Sequence, residues 1–96
     1  MPDDAVISPI HHDRAGRRFV VVRDGHEAWL DYEQAGNILV ITHTLVPAAI
    51  RGRGIAGELV RAALEFVRTQ GLRVRPACSY SDAWMRRHPG YDDLRA

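Results

Sequence analysis

Ahead of residue 47 the apolar positions come in short β-rich runs broken by turn residues, and behind it they recur at helical spacing. Phe19-Val20-Val21-Val22 places a strand over residues 17–23, and Asp24-Gly25 turns it into a second strand over residues 26–33, making a hairpin. Gly36-Asn37 forms the next turn, and Ile38-Leu39-Val40-Ile41 within residues 37–46 has the pattern of a central strand buried on both faces. Pro47 cannot donate to a ladder and ends that strand, which leaves residues 47–53 as a loop. Over residues 54–70, Ile55, Leu59, Ala62, Ala63 and Phe66 share one helical face, while Glu58, Arg61, Glu65 and Arg68 form the wet one. Gly71 followed by Leu72 is a left-handed helix stop, and residues 72–76 alternate as a half-buried strand parallel to the one before the helix. Ser79 with Asp82 has capping-box spacing for a short helix over residues 80–88, closed by Pro89-Gly90. Residues 1–16 hold Pro2, Pro9 and Gly16 without sustained periodicity, which predicts a flexible arm with a short edge strand around residues 6–12. The expected fold is thus α/β of the mixed α+β kind: an antiparallel meander, a βαβ unit and a short C-terminal helix, in one domain over residues 17–96.

Composition narrows the function classes. A chain of 96 residues holds one small core, so a substrate site belongs at an edge or between elements, not in a deep cavity. The net charge is only +1, far from the basic footprint of a nucleic-acid binder, although all 13 basic residues are arginines. Cys78 is the single cysteine, which excludes an internal disulfide and any multi-cysteine zinc motif and suits a reducing, cytoplasmic compartment. No apolar run reaches membrane-spanning length, and Met1-Pro2-Asp3-Asp4 lacks the positive start of a signal peptide.

The chemistry concentrates in Arg51-Gly52-Arg53-Gly54-Ile55-Ala56-Gly57, three glycines and two arginines at a helix start. The first helical N–H groups have no partners within the helix, the macrodipole adds positive potential, and glycine lets a phosphate approach the backbone. Glycines alone would need only a turn-forming role; the flanking arginines point to an anion, and a pyrophosphate is the natural one. A P-loop is excluded because it requires lysine, which the chain lacks. Gly52, Gly54 and Gly57 spell the dinucleotide fingerprint, but residues 47–51 separate it from the strand, and the following strand ends at Pro76-Ala77-Cys78 without the acid that holds ribose.

Arg51-x-x-Gly54-x-Ala56 resembles the pyrophosphate signature of the GNAT acyltransferases: Gln or Arg, two residues, Gly, one residue, then Gly or Ala. The resemblance continues through Ile41-Thr42-His43-Thr44-Leu45-Val46-Pro47, Val74-Arg75-Pro76-Ala77-Cys78-Ser79-Tyr80 and Arg87-His88-Pro89, successive blocks of a very short GNAT subfamily. It implies an acetyl-coenzyme A-dependent N-acetyltransferase acting on a primary amine of a small molecule or peptide. It also implies that Arg51, Gly52, Arg53, Gly54, Ile55 and Ala56 hold the coenzyme A pyrophosphate while Thr44, Leu45 and Val46 line the pantetheine arm. Longer members build the acceptor site from extra N-terminal helices, so here the site is open or completed by a protein partner. A coenzyme A-binding module with little or no turnover is the alternative.

Cys78 falls at a strand end just before a helix, where free N–H groups favour a thiolate over a thiol; a small buried hydrophobe is the other reading of the same position. The resemblance selects the first, since a cysteine in this block is the proposed active residue of the short subfamily. His43, on the adjacent strand, suits a general base or a partner for the thiolate, against the common role of a hydrogen-bonded core histidine. His11, His12, His26 and His88 lack metal-ligand spacing and are expected at the surface, and Trp29, Tyr32 and Trp84 in the core or an interface.

Overall fold

A computed structural model describes residues 9–96. Its five strands run in chain order across one sheet: β1 (His11–Asp13), β2 (Arg18–Arg23), β3 (His26–Ala35), β4 (Ile38–Leu45) and β5 (Arg73–Pro76). The first four pair antiparallel, and β5 lies parallel to β4 after the crossover helix α1 (Ile55–Gln70). Helix α2 (Ser79–Arg87) follows, and a 3-10 segment, Pro89–Leu94, completes the chain's packing. The mixed α/β class and its meander-plus-βαβ order are those expected. The edge strand anticipated around residues 6–12 lies partly outside the described residues; within them residues 9 and 10 are not in a strand, and β1 runs over His11–Asp13.

Phe19, Val21, Ala28, Leu30, Tyr32, Leu39, Ile41 and Val74 face one side of the sheet and form a single core with Ile55, Leu59, Val60, Ala63, Leu64 and Val67 of α1 and Trp84 and Met85 of α2. Both helices therefore pack on the same face. This corrects the expectation for β4: Leu39 and Ile41 are buried, but Ile38 and Val40 are only half-buried, because their side of the sheet is not part of the helical core. Gly71 caps α1 at φ 69°, and the Leu72 N–H donates to Val67 O at 2.9 Å, the bond of a Schellman stop. The C-terminal tail reaches back to β5, where Ala96 N donates to Val74 O at 2.8 Å.

Two sequence expectations on polar residues change. Cys78, not Ser79, is the N-cap of α2: its backbone is extended and its sulfur accepts from the Ser81 N–H at 3.3 Å. Ser81, three residues on, returns a bond from Oγ to Cys78 O at 3.0 Å, so the reciprocal pair is shifted one residue upstream of the Ser79/Asp82 spacing. His12 and His88 are likewise packed, not free at the surface. His88 stacks on Trp84 at 3.7 Å, and its Nδ1 lies 2.7 Å from Trp84 O. His12 stacks on Phe19 at 4.0 Å, meets Phe66 edge-on and lies 2.6 Å from the Tyr32 hydroxyl, joining β1 to the core.

Loss of water around His12, followed in size by the nearby Arg14 and His11 charges, lowers its pKa below the ordinary histidine value of 6.5. Because the folded value lies below the unfolded one, the unfolded chain binds the proton more readily. The stabilisation by neutral His12 is complete above about pH 6.5, the unfolded value, and is lost as pH falls through the folded value. Melting temperature is therefore expected to drop between neutral pH and pH 5, with a smaller drop in His12→Gln. Equal pH dependence in the two proteins would remove His12 from the explanation.

Candidate functional site

The loop between β4 and α1 is built by local backbone constraints. Pro47 ends β4, a 3-10 turn at Ala48–Ile50 buries Ile50, and Gly52 and Gly54 take positive φ of 78° and 74°. Gly54 is the N-cap of α1, and no side chain caps the first turn by a hydrogen bond. Open space surrounds both glycines: a Cβ added at either meets no heavy atom within 4 Å. The helix start thus exposes backbone donors beneath an unobstructed surface, the feature that an approaching phosphate requires.

Beside the loop the sheet divides. The β4–β5 pairing runs from Ile38/Arg73 to Ile41/Pro76, and Ala77 N and Cys78 N then both donate to Ile41 O. Farther along, β4 continues to Leu45 against β3, while the chain after β5 turns into α2. In this fork lies a cavity of about 340 Å3 lined by Thr44, Leu45, Val46, Arg51, Ala56 and Tyr80. A second, of about 220 Å3, shares Val46, Arg51, Ala56 and Tyr80 with it and extends along Ile50, Gly52, Gly54 and Ile55. The two form one cleft running from the strand end to the helix start. It brings together the residues of the strand end, Thr44, Leu45 and Val46, and all of the loop residues named from sequence except Arg53.

Arg51 folds back over this cleft, its Nε donating to Val46 O at 3.2 Å, whereas Arg53 turns away to an ion pair with Asp24 in the β2–β3 turn. Tyr80, 37% exposed, lines both parts of the cleft and was not singled out from sequence; its place directly after the Cys78-Ser79 corner is the signal that would have pointed to it.

Cys78 and His43 are separated by a bulge. Tyr32 pairs with Ile41 but Asp31 with His43, so Thr42 is an extra residue in β4 and side-chain alternation shifts by one. Thr44 consequently lies opposite buried Leu30, on the helical side, where its Oγ1 is 3.6 Å from Cys78 Sγ. His43 lies opposite Asp31 and is exposed. Half-buried Cys78 thus sits behind the Thr44 wall of the cleft, with Ser81 Oγ at 3.1 Å, and Thr44 takes the place beside it that sequence spacing gave to His43.

A separate groove, about 480 Å3, lies on the other sheet face by Arg17, Arg18, Asp31, Glu33 and Thr42. Its charged walls are already matched as Arg17–Glu33 and Arg18–Asp31 pairs, and it contains neither glycine-lined backbone donors from the helix start nor the strand fork. Among the described residues no cluster of three or more His, Cys, Asp or Glu is placed to hold a metal ion, and no helix is long and apolar enough to cross a membrane.

A family model described as GCN5-related N-acetyl-transferase matches residues 18–94. Among similar proteins, Protein NATD1 of Bos taurus is 41% identical over 91 residues, covering 92% of this chain and 80% of its own length. Protein NATD1 of Homo sapiens is 42% identical over 83 residues, covering 83% of this chain and 74% of its own. An NMR structure of a GCN5-like protein from Staphylococcus aureus superposes with a TM-score of 0.73 at 23% identity, covering 92% of this chain and 87% of that one. The last similarity concerns the fold.

Proposed function

Because the chain belongs to the GCN5-related N-acetyltransferase family, we propose that it binds acetyl-coenzyme A in the cleft between β4 and α1 and transfers the acetyl group to a primary amine. The observation that carries this reading is the continuity of the cleft: Thr44, Leu45 and Val46 meet Arg51, Gly54 and Ala56 along one surface. An elongated ligand with a phosphorylated end and a narrow apolar arm matches that surface. Backbone N–H groups at Gly54, Ile55 and Ala56 hold the pyrophosphate, Arg51 and Arg53 supply charge, and Leu45 and Val46 cover the arm. The coenzyme supplies the activated thioester. A backbone N–H at the strand end, beyond the last β5 pairing, polarises its carbonyl.

Exposed His43 is assigned the proton of an amine that arrives from its side of the sheet, and Cys78 the position beside the reacting end of the cleft through Thr44. On this reading the acceptor arrives from solvent or on a surface completed by a protein partner, and the free thiol of Cys78 fits a reducing compartment.

Release of coenzyme A thiol, followed with a panel of polyamines, amino acids and lysine peptides, tests the activity. Release above the uncatalysed rate with one amine class is expected, along with acetylated product by mass spectrometry. Tight binding without release across the panel would favour a coenzyme A-binding module. Cys78→Ala is expected to keep coenzyme affinity and lower transfer. Full transfer in that variant would reduce Cys78 to its capping role.

A further inference from the structure

The two arginines of the loop, Arg51 in the cleft wall and Arg53 beside it, are not equally available. Arg51 is bonded to a neutral carbonyl and carries no carboxylate among the described ion pairs. Arg53 instead donates through Nη1 to Asp24 Oδ2, and the adjacent Arg23 reaches Glu58 of the first turn of α1 at 3.0 Å. These two ion pairs fasten the tip of the β2–β3 hairpin to the anion loop. Asp24 is fixed in turn by its own backbone, at φ 51° beside Gly25 at φ 76°, in the two-residue turn between paired Arg23 and His26. A carboxylate is therefore held against one of the two cations that the loop offers to a phosphate.

From this geometry we infer that Asp24 is a built-in counter-anion of the coenzyme site, which competes with the incoming phosphate for Arg53 and so sets the affinity and salt sensitivity of binding; the inference rests on the coenzyme reading above. Arg53 and Asp24 are 46% and 62% exposed in their side chains, so their ion pair is weak and exchangeable. A pyrophosphate offers more charge and more acceptor oxygens than one carboxylate and takes the guanidinium from it. The hydrogen bond from Arg53 holds the Asp24 carboxyl below the usual carboxylate range, and its release by ligand moves that carboxyl back up.

Asp24→Asn separates charge from position. Asparagine tolerates the left-handed backbone and still offers Arg53 an acceptor, so the turn and its contact remain while the negative charge disappears. Calorimetry with coenzyme A and, separately, with inorganic pyrophosphate is expected to show binding about two- to fivefold tighter in Asp24→Asn, a gain on the scale of an exposed ion pair. The gain shrinks in about 1 M salt, where the screening length falls to roughly 3 Å. It also shrinks in an Arg53→Ala background. Unchanged or weaker binding in Asp24→Asn, or an equal gain without Arg53, would overturn the inference. If pyrophosphate shows the pattern and coenzyme A does not bind, the coenzyme reading falls and the counter-anion stands. If coenzyme A binds but Asp24→Asn changes nothing, the reverse holds; absence of binding by either ligand removes both.

Discussion

Gly54→Asp is expected to weaken coenzyme A binding by at least about a hundredfold, the loss of two charge-assisted hydrogen bonds. The variant discriminates well because an added Cβ at Gly54 meets none of the protein's own atoms within 4 Å. Its structural penalty is confined to placing a side chain at φ 74°, about 1–2 kcal/mol of local strain. Gly54→Asn supplies the control, since asparagine adopts that backbone conformation and adds bulk without charge. The expected order of affinity is wild type, Gly54→Asn, Gly54→Asp, with all three folded by circular dichroism. Wild-type affinity in a folded Gly54→Asp protein would place the phosphates elsewhere.

Gly57→Val acts on stability instead. Gly57 lies in the first turn of α1 where the helix passes α2, and a Cβ there would stand 2.9 Å from Trp84 Nε1 and 3.5 Å from the Tyr80 hydroxyl. Trp84 is only 4% exposed and is stacked against His88, so it cannot move without uncovering core. Overpacking at such a site costs about 1–3 kcal/mol. For a domain of this size that lowers the melting temperature by roughly 5–20 °C. Displacement of Trp84 should accompany it as a red shift of tryptophan emission. An unchanged melting temperature would mean that the helices do not meet at Gly57. This close approach also explains the third glycine of the literal dinucleotide fingerprint: Gly57 admits α2 against α1, a packing role that needs no nucleotide.

Periodic segments were legible from the residues alone. Helix α1, the Asp24-Gly25 turn and the Gly71 stop follow from apolar spacing and turn chemistry, because each is set by neighbours within a few positions. The glycine turn into α1, with Gly52 and Gly54 at positive φ, was legible for the same reason. The bulge at Thr42 was not. Thr42-His43-Thr44 is polar throughout, so no apolar alternation marks where the register shifts, and only pairing with β3 reveals that Thr44, not His43, meets Cys78. His12 escaped because its burial depends on Phe19, Tyr32 and Phe66 from three other elements. The Cys78 cap escaped because a sulfur acceptor is outside the usual oxygen-bearing capping set. For Tyr80 the sequence offers only its place after the Cys78-Ser79 corner; its share in the cleft depends on how the loop and α2 sit side by side.

Titration of the protein with acetyl-coenzyme A, by calorimetry and by melting, tests the central claim most directly, with NAD as the competing ligand. One saturable site for acetyl-coenzyme A is expected, and at a hundred times Kd the ligand should add about 2.7 kcal/mol to the stability of the folded chain. NAD should leave the melting temperature unchanged. Stabilisation by NAD without any by acetyl-coenzyme A, or no heat and no shift with acetyl-coenzyme A at millimolar concentration, would contradict the assignment of the cleft.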